Sequence, residues 1–390
     1  MNEVVIVSAV RTAVGRGKAD GALANVHPVD MSAAVMTEAL KRANVDPAMI
    51  EDVQWGCAMP EASQGLNVAR LSWLRAGLPA ETSAATINRF CSSGLQSIAY
   101  GAQAIMSGMG DAVMCGGVEM MSQVPMSGFN TRLSPDMTES YIGMGFTAER
   151  VAKRWGISRA NQDAFSYDSQ MKAVAAIKAN RFASQIVSIT TQQFAWSGSE
   201  KTVTDRVVTI DECPRAETTM EGLAKLRPAF AAVGTVTAGN ASPYSDGAAA
   251  VLVMDRRKAD ELGLKPLARF VSFATGGVDP DIMGVGPIKA VPKALARAGI
   301  SIGDLKLIEF NEAFAAQALA VIKELQFDTS VVNVNGGAIA LGHPLGATGA
   351  KLTTQLIHEL GSRGGGLGMV TMCIGGGMGA AGVFEVYPSP

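Results

Sequence analysis

Two six-residue segments of similar sequence, Leu40-Lys41-Arg42-Ala43-Asn44-Val45 and Leu295-Ala296-Arg297-Ala298-Gly299-Ile300, lie 255 positions apart. At the same offset, and without a gap, Ile50 falls on Leu305, Val53 on Ile308 and Trp55 on Phe310. Each matched region, 40–55 and 295–310, has the pattern of a helix end, a turn and a β-strand. An ungapped match across all three indicates that the chain contains two halves of similar architecture.

Short β-branched runs alternate with helical patterns at both ends of the chain, which is typical of βαβ units. The predicted strands cover 4–7, 268–273 and 305–310, and the predicted helices cover 31–43, 288–298 and 312–325. We therefore expect an α/β protein with mostly parallel sheets. A further similarity, between Met114-Cys115 and Met372-Cys373, extends the duplication at a slightly larger offset.

The middle of the chain has a different composition, with scattered Met, Pro, Ser and Thr and helical patterns over 147–155 and 161–181. Long insertions on a rigid scaffold usually carry substrate contacts. A strand over 248–254 is expected to rejoin the first half. The predicted division is a first half (1–118 plus 246–267), an inserted region (119–245) and a second half (268–390).

Composition excludes several classes of protein. The 390 residues suffice for two or three packed units, and 48% hydrophobic residues exclude a disordered chain. Because 33 Lys and Arg nearly balance 35 Asp and Glu, without a dense basic run, we expect no nucleic-acid partner. Five cysteines form no Cys-x-x-Cys pair and leave one over, which favours a reduced, intracellular protein.

Targeting signals are not evident in the sequence. The chain enters an apolar run without the basic start of a signal peptide, and Tyr387-Pro388-Ser389-Pro390 is not a peroxisomal tripeptide signal. The uncharged stretch 364–384 is long enough to span a membrane, but 9 of its 21 residues are glycine, which favours two strands around a glycine turn. We expect a cytoplasmic protein without a membrane span.

The first candidate catalytic segment is Asn88-Arg89-Phe90-Cys91-Ser92-Ser93-Gly94, followed by a helical pattern over 95–106. A Cys in the first turn of a helix is a favoured nucleophile, because unpaired amides and the helix dipole stabilise the thiolate and are expected to lower the pKa of Cys91. The alternative is a buried structural Cys, which is the commoner role of a lone Cys.

The second candidate is His343, in the glycine-rich segment 335–346 that follows a predicted strand over 331–334. The chain has only three histidines, and His27 and His358 are expected to be solvated. Glycines on both sides of His343 indicate a close-packed turn in which an imidazole can be oriented and reached. The alternative is a turn histidine with satisfied hydrogen bonds and no catalytic role.

Two further segments carry polar groups at strand ends. Over 369–379 a predicted strand ends in Cys373 and a glycine run, whose backbone N–H groups could form an oxyanion hole. The alternative, a phosphate-binding loop, is disfavoured because no helical pattern follows Gly379. Asn311 lies where a helix N-cap is expected, and Glu312 could be a helix-start acid.

Two thiols, an imidazole and two glycine-rich turns are the groups needed for acyl transfer through a thioester. A metal site is not predicted, because no Cys/His pair has ligand spacing and no His-Glu-x-x-His motif occurs.

These motifs resemble those of the thiolase family, and the resemblance covers essentially the whole chain. Segments 88–94, 311–315, 336–344 and 373–379 are similar to the family's nucleophile segment and its three C-terminal signatures, and 237–242 with 246–248 is similar to a stretch at the coenzyme A pocket. The resemblance implies a five-layered αβαβα thiolase fold of two similar halves with an inserted loop domain. It also implies an acyltransferase of lipid metabolism, and a homodimer or homotetramer.

The resemblance assigns roles to five residues. Cys91 would attack a 3-ketoacyl-CoA and become acylated, and His343 would accept its proton. Cys373 would protonate the departing enolate and then deprotonate coenzyme A. Asn311 would hold a water that forms one oxyanion hole with His343, and the amides of Cys91 and Gly375 would form the other.

Coenzyme A is implied as a co-substrate, and no separate cofactor is expected. Matching to the family pattern suggests Arg215 near the nucleotide phosphates, Ser242 near the pantetheine, and Met144 with Phe314 at the thioester end. An ordinary surface or core role remains the alternative for each. The Met residues between Met106 and Met144 would suit an adaptable acyl pocket, although filling the core is the commoner use of Met.

The residue before Met144 separates two branches of the family. The biosynthetic, acetoacetyl-CoA-specific branch has His at this position, whereas this chain has Gly143. The difference favours a 3-ketoacyl-CoA thiolase of fatty acid β-oxidation. Whether a partner subunit takes part in that process is left open. The alternatives are an acetyl-CoA acetyltransferase, a ketoacyl synthase, and a non-catalytic acyl-CoA-binding relative that retains the fold.

Overall fold

A computed structural model of the protein describes residues 2–125, 130 and 132–389, without the side chains of residues 138, 139, 195 and 196. The strands are β1 Val4–Thr12, β2 Gly15–Arg16, β3 Asp52–Gly56, β4 Ser83–Ile87, β5 Ala112–Met120, β6 Ile186–Val187, β7 Ile189–Ser197, β8 Glu200–Val208, β9 Ser245–Asp255, β10 Ala268–Gly277, β11 Leu307–Phe310, β12 Gly366–Ile374 and β13 Met378–Val386. The α-helices are α1 Pro28–Ala43, α2 Val68–Arg75, α3 Ser93–Met106, α4 Met144–Trp155, α5 Arg159–Lys178, α6 Met220–Ala224, α7 Arg256–Glu261, α8 Pro287–Ala298, α9 Ala315–Leu325, α10 Ala338–Leu341 and α11 Leu345–Ser362.

One large sheet runs through both halves in the order β11-β12-β13-β10-β1-β9-β5-β3-β4, with β2 on β9 and β6 on β1. In the described strands, parallel pairing joins β3 to β4 and β5, β11 to β12, and β1 to β6, whereas the pairs at the centre are antiparallel. The expectation of mostly parallel sheets is therefore wrong. The reason lies partly in the connections: β13 follows β12 through a tight glycine turn, which forces an antiparallel pair.

Three hydrophobic cores give the molecule five layers. The outer face of β1, β3, β5 and β9 packs on α1 and α2. The opposite face of these strands and the inner face of β10, β12 and β13 both pack on α3 and α11, which form the middle layer. The outer face of the second group packs on α8 and α9. Because side chains alternate between the two faces of a strand, Val5 enters the first core and Val4 the second. This is the predicted αβαβα arrangement.

The duplication predicted at an offset of 255 residues holds in detail. Helix α1 ends at Ala43 and helix α8 at Ala298, and each is followed by a left-handed capping residue, Asn44 (φ 53°) and Gly299 (φ 68°). A 3₁₀ turn follows at the same offset, Pro47–Met49 in one half and Ile302–Asp304 in the other. The sequence match therefore reflects equivalent helices, caps and turns.

The sheet register contradicts the second similarity. Trp55 pairs with Gly116 and Phe310 with Thr371, so the offset of 255 also relates β5 to β12. Gly116 therefore corresponds to Thr371, and the residue before it, Cys115, corresponds to Val370 and not to Cys373. The likeness of Met114-Cys115 to Met372-Cys373 is therefore accidental, because a strand carries its residues in fixed register with its neighbour.

Two local predictions in the second half are wrong. Residues 331–334 form no strand; Val331 ends a 3₁₀ turn and Val332 makes an isolated bridge to Ile308. Helix α9 begins at Ala315 with Phe314 as its N-cap, so neither Asn311 nor Glu312 lies at a helix start. A buried polar contact replaces capping for both residues, as described below. By contrast, residues 364–384 form two strands around a glycine turn, as predicted.

The inserted region contains the two predicted helices, observed as α4 and α5, and a separate hairpin of β7 and β8 that was not predicted. The predicted rejoining strand is β9, which lies between β1 and β5 of the first half. Residues 126–129 and 131 of this region, with residues 1 and 390 at the ends of the predicted halves, lie outside the described residues. The division into three parts remains a prediction.

All five cysteines lie in the described part of the chain, and each is buried and unpaired. The reduced, intracellular state stays a prediction. Among the described residues, the longest apolar helices fall short of what a membrane-spanning segment requires.

Candidate active site

Cys91 lies in a 3₁₀ turn, Phe90–Ser92, between the edge strand β4 and helix α3. Phe90 adopts a left-handed conformation (φ 43°), and its amide donates to Asn88 Oδ1 at 2.8 Å. Ser93 Oγ accepts from the Arg89 amide at 2.9 Å and donates to the Phe90 carbonyl at 2.7 Å. The turn is thus held by its own Asn and Ser side chains, which places the thiol at the helix start as the sequence predicts.

Two glycines bring the segment of Cys91 close to the segment of His343. A Cβ on Gly94 of α3 would lie 2.8 Å from the Ala350 amide nitrogen, and one on Gly349 of α11 would lie 2.1 Å from the Leu95 amide nitrogen. Both distances are shorter than real side-chain contacts, so the N-terminal turns of α3 and α11 pack backbone against backbone. Leu345, at the start of α11, joins the apolar cluster around Cys91.

His343 is buried and hydrogen-bonded on three sides. Its amide donates to Ser245 Oγ at 3.1 Å, Nδ1 lies 2.6 Å from Thr348 Oγ1, and Nε2 lies 3.3 Å from Asn311 Nδ2. Of the other histidines, His27 is exposed as predicted and caps helix α1. His358 is not simply solvated, because its Nε2 lies 3.0 Å from the Ala9 carbonyl oxygen.

Asn311 is fully buried and continues strand β11, with its amide donating to the Thr371 carbonyl at 3.0 Å. Its Nδ2 faces His343, whereas its Oδ1 has no hydrogen-bond partner among the described residues. A buried polar atom without a partner is costly in a folded protein. The orientation of Asn311 is therefore suited to a ligand or water at His343 and not to helix capping.

Cys373 lies near the end of β12, paired with Gly379 of β13 and fully buried. The turn that follows contains Gly376 (φ 80°) and Gly377 (φ 86°), a conformation that side chains rarely adopt. This turn carries Gly375, where a Cβ would lie 3.7 Å from the ring of Phe90, the neighbour of Cys91. The Gly375 amide acts to lower the pKa of Cys91, and burial, followed by the charge of a Cys91 thiolate, raises the pKa of Cys373. The two thiols and the Gly375 amide therefore share one site.

Burial controls the protonation of the site. It raises the pKa of Cys91 to about 11, although the amides of Gly375 and Cys91 itself act in the opposite direction. Burial, with a smaller contribution from the charge of Lys351, lowers the pKa of His343 to about 3. The expectation of a lowered Cys91 pKa is therefore wrong for the free protein. The loss of hydration destabilises the thiolate more than the amides and the dipole at the helix start stabilise it. At neutral pH the site holds a thiol and a neutral imidazole.

We expect alkylation of Cys91 by iodoacetamide to be slow at pH 7 and to rise about tenfold per pH unit up to about pH 10, because only the thiolate reacts and its population grows toward a pKa of about 11. Peptide mapping at each pH measures the rate, with buried Cys115 as the internal control that stays unlabelled. A rate already on its plateau at pH 6 would show a thiolate–imidazolium pair and contradict this arrangement.

Glu119 is a buried carboxylate that the sequence analysis did not single out. At the end of β5 it accepts hydrogen bonds from the amides of Ala58 at 2.8 Å, Met59 at 3.2 Å and Gly346 at 2.8 Å, and from Gln64 Nε2 at 2.8 Å. It thereby anchors the start of helix α11 to the first half. The available signal was a single acidic residue in an otherwise apolar strand, since such a residue must find partners when it is buried.

Glu312 is a second buried acidic side chain that connects separate segments. It accepts from Ser169 Oγ at 2.7 Å, Asn333 Nδ2 at 2.8 Å and the Ile339 amide at 3.2 Å. A Cβ on Gly337 would overlap the carboxyl group, so the glycine makes room for it. Glu312 thus joins the inserted helix α5 to the loop that leads to His343.

Three of the four predicted coenzyme A contacts lie near the thiols. Met144 and Phe314 belong to the apolar cluster that contains Cys373 and the Phe230 ring. The Met144 methyl would lie 3.2 Å from a Cβ on Gly375. Ser242 is half-buried, and its amide donates to the Ala313 carbonyl at 2.9 Å, next to Phe314.

Arg215 lies on the surface, outside this cluster. Its side chain is exposed, and its amide donates to Gln170 Oε1 at 2.8 Å. Gln170 also donates, from Nε2, to the Ile339 carbonyl at 3.3 Å, in the loop before His343. Arg215 is therefore connected to the site through helix α5 and has an unburied guanidinium.

The methionines between Met106 and Met144 have mixed environments. Met121 contacts the cluster around Cys91 and Met144 the cluster around Cys373. Met114 and Met120 fill the core beneath α1, whereas Met109 is 81% exposed. Met126 lies outside the described residues. Among the described methionines of this stretch, Met121 and Met144 support a Met-lined site.

The assembled groups are suited to nucleophilic acyl transfer: a buried thiol packed against the start of α11, a neutral imidazole just before that helix, a second thiol, and backbone amides that lower the pKa of the first thiol. In the described part of the chain, no group of three or more His, Cys, Asp or Glu could hold a metal ion.

Comparisons with known proteins agree with this chemistry. The family model for the thiolase N-terminal domain matches residues 4–257, and that for the thiolase C-terminal domain matches residues 264–386. A 3-ketoacyl-CoA thiolase of Bacillus subtilis is 54% identical over 99% of this chain and 100% of its own length. An acetyl-CoA acetyltransferase of Shinella zoogloeoides is 46% identical over 97% of each chain.

Among solved structures, the crystal structure of the Bacillus anthracis acetyl-CoA acetyltransferase is similar with a TM-score of 0.87, at 41% identity and covering 99% of each chain. Fold, motifs and full-length similarity agree, and the chain therefore belongs to the thiolase family.

Proposed function

We propose that the protein is a 3-ketoacyl-CoA thiolase, which cleaves a 3-ketoacyl-CoA with coenzyme A to an acyl-CoA and acetyl-CoA through an acyl-Cys91 intermediate. The observation that carries the proposal is the convergence of two buried thiols, Cys91 and Cys373, at the glycine turn, where Gly375 lies against Phe90 next to Cys91. Relatives named 3-ketoacyl-CoA thiolase at 54% and 48% identity over nearly the full chain support the choice of reaction.

In the first half-reaction His343 takes the Cys91 proton while the sulfur attacks the keto carbon. The bond between C2 and C3 of the substrate then breaks, and its electron pair passes to the enolate of acetyl-CoA. Cys373 donates the proton that converts the enolate to acetyl-CoA. The acyl group stays on Cys91 as a thioester.

In the second half-reaction the Cys373 thiolate takes the proton of the coenzyme A thiol, and the resulting thiolate attacks the acyl-Cys91 thioester. Cys91 leaves as a thiolate and recovers its proton from His343. The Gly375 and Cys91 amides stabilise the thioester oxyanion, which is supported by their common effect of lowering the pKa of the Cys91 thiol. In the first half-reaction, a water on Asn311 Oδ1, which has no partner among the described residues, stabilises the enolate together with His343.

Coenzyme A is then a co-substrate, and no further cofactor takes part. Met144 and Phe314 line its thioester end, Ser242 contacts the pantetheine and the exposed Arg215 guanidinium meets the phosphates. The reduced state of all five cysteines supports a cytoplasmic location. Fatty acid β-oxidation, with or without a partner subunit, is the process that this activity serves.

A homodimer or homotetramer completes the proposal. Strand β4, which leads to Cys91, is an edge strand of the described sheet, and edge strands invite pairing with a second copy. Three leucines beside it are exposed, with Leu66 at 93%, Leu71 at 40% and Leu74 at 43%. Light scattering after size-exclusion chromatography tests this part, and a monomer at micromolar concentration would contradict it.

The reaction is tested by mixing the protein with 3-ketooctanoyl-CoA in the absence of free coenzyme A. We expect intact mass spectrometry to show a hexanoyl adduct, peptide mapping to place it on Cys91, and added coenzyme A to discharge it. A protein that binds the substrate but forms no adduct would be a binding relative and not a thiolase.

The second candidate is an acetyl-CoA acetyltransferase, because relatives of that name are 45–46% identical to this chain. Gly143, which caps helix α4 beside Met144, favours the thiolase with longer substrates, since it leaves the acyl end without the His of the biosynthetic branch. The two are separated by kcat/KM for acetoacetyl-CoA against 3-ketooctanoyl-CoA. A strong preference for acetoacetyl-CoA would favour the acetyltransferase.

A further inference from the structure

The imidazole of His343 is bracketed by two neutral side chains. Thr348 Oγ1 lies 2.6 Å from Nδ1, and Asn311 Nδ2 lies 3.3 Å from Nε2. Many catalytic histidines have a carboxylate as the hydrogen-bond partner of Nδ1, whereas the partner of Nδ1 in His343 is the Thr348 hydroxyl. The position of the imidazole proton therefore depends on which of its neighbours donates.

The Thr348 hydroxyl has one proton and two hydrogen-bond partners. Thr348 lies in the first turn of α11, and its Oγ1 donates to the Pro344 carbonyl at 3.0 Å, four residues back, as helical threonines commonly do. With its proton engaged there, the oxygen offers only a lone pair to Nδ1. Nδ1 must then carry a proton and donate it to Thr348 Oγ1.

The other side of the ring has the matching arrangement. The Asn311 amide group presents its NH₂ to Nε2, which requires a lone pair on that nitrogen. Turning the amide around would place Oδ1 on a protonated Nε2 and leave the NH₂ buried without an acceptor. Buried donors without a partner are rarer than buried acceptors without one, so the first arrangement is favoured.

We infer that Thr348 is a positioning residue that holds His343 in the tautomer with its proton on Nδ1, so that the lone pair of Nε2, which accepts from Asn311 in the free protein, is the site that takes the Cys91 proton. This inference rests on the proposed function of the site, in which His343 acts as the base. Because Thr348 is uncharged, it fixes the direction of proton transfer without strongly stabilising the imidazolium that forms. The imidazolium then readily returns its proton when Cys91 leaves the thioester.

The test is the Thr348→Val variant, which keeps the branched shape and removes the hydroxyl. In ¹⁵N-histidine spectra of the full-length protein, which has three histidines, the wild type is expected to show His343 with Nδ1 protonated. The Val variant is expected to shift His343 toward the Nε2-protonated form, because Nδ1 has lost its acceptor. Its kcat is expected to fall by roughly 10- to 100-fold with KM nearly unchanged.

Two variants control for structure. Thr348→Ser keeps the hydroxyl and is expected to restore the wild-type tautomer and most of kcat. Thr353→Val removes another buried hydroxyl of α11, one that donates only to the Gly349 carbonyl at 2.8 Å, and is expected to leave tautomer and kcat unchanged. Equal losses in both Val variants would show a structural effect and overturn the inference.

An unchanged His343 tautomer in Thr348→Val, with or without a loss of activity, would also overturn it. The spectra require no substrate, so failure of the proposed reaction would not affect this readout. Loss of the Nδ1-protonated form in a protein that forms no acyl adduct would support the role of Thr348 and reject the thiolase reaction.

Discussion

Replacing Cys91 with Ser is expected to lower thiolytic activity by about 10⁴-fold or more, because a buried serine hydroxyl is a much weaker nucleophile than a thiol. The acyl adduct formed from 3-ketooctanoyl-CoA should disappear in intact mass spectra. The change removes no hydrogen bond that supports the turn, since Asn88 and Ser93 hold it. We therefore expect the melting temperature to change little.

The matched control is Cys115→Ala, which removes a different buried thiol in the middle core. This variant is expected to retain the adduct and most of the activity, with at most a modest loss of stability. A Cys91→Ser protein that keeps more than about one per cent of wild-type kcat would show that another group is the nucleophile.

Replacing Cys373 with Ser is expected to lower kcat by about 10²- to 10⁴-fold, because proton transfer to and from carbon then depends on a much weaker acid. The loss differs in kind from that of Cys91→Ser. Cys91 remains in place, so it should still be alkylated by iodoacetamide. The measurement that isolates Cys373 is deuterium uptake at C2 of acetyl-CoA in D₂O, which should be lost in this variant.

Cys115→Ala is again the control and should keep wild-type deuterium uptake. If Cys373→Ser exchanged the C2 hydrogens at the wild-type rate, a different residue would be the acid, and the adjacency of the two thiols would have another explanation. Loss of alkylation at Cys91 in this variant would instead indicate that the substitution disturbs the site.

Much of the fold could be predicted because its signals are local. The offset of 255 residues is visible in the sequence, since a helix end, its left-handed cap and the next strand recur with the same spacing. The glycines after Cys373 predict the β12–β13 turn because few other residues adopt positive φ angles there. The two inserted helices follow in the same way from periodicity.

Other features could not be predicted because they depend on contacts between distant segments. Strand β9 follows the inserted region and lies between β1 and β5, antiparallel to both. Its position in the sheet accounts for two of the central antiparallel pairs. Neither the β7–β8 hairpin nor the burial of Glu312 has a clear local pattern. The accidental match of Cys115 with Cys373 shows how a short likeness misleads when the strand register is unknown.

Sequence patterns alone predict the duplicated architecture, the residue types available for chemistry and the glycines that permit close approach. The tertiary structure decided what those residues are in the folded protein: Cys91 becomes a thiol with a raised pKa, Asn311 faces His343, and Glu119 anchors helix α11. The two differ because the interactions behind them act over different distances along the chain. Turn and helix preferences act over a few residues, whereas desolvation and hydrogen-bond partners depend on distant segments, as in the bond between the Gly346 amide and Glu119, which are 227 residues apart.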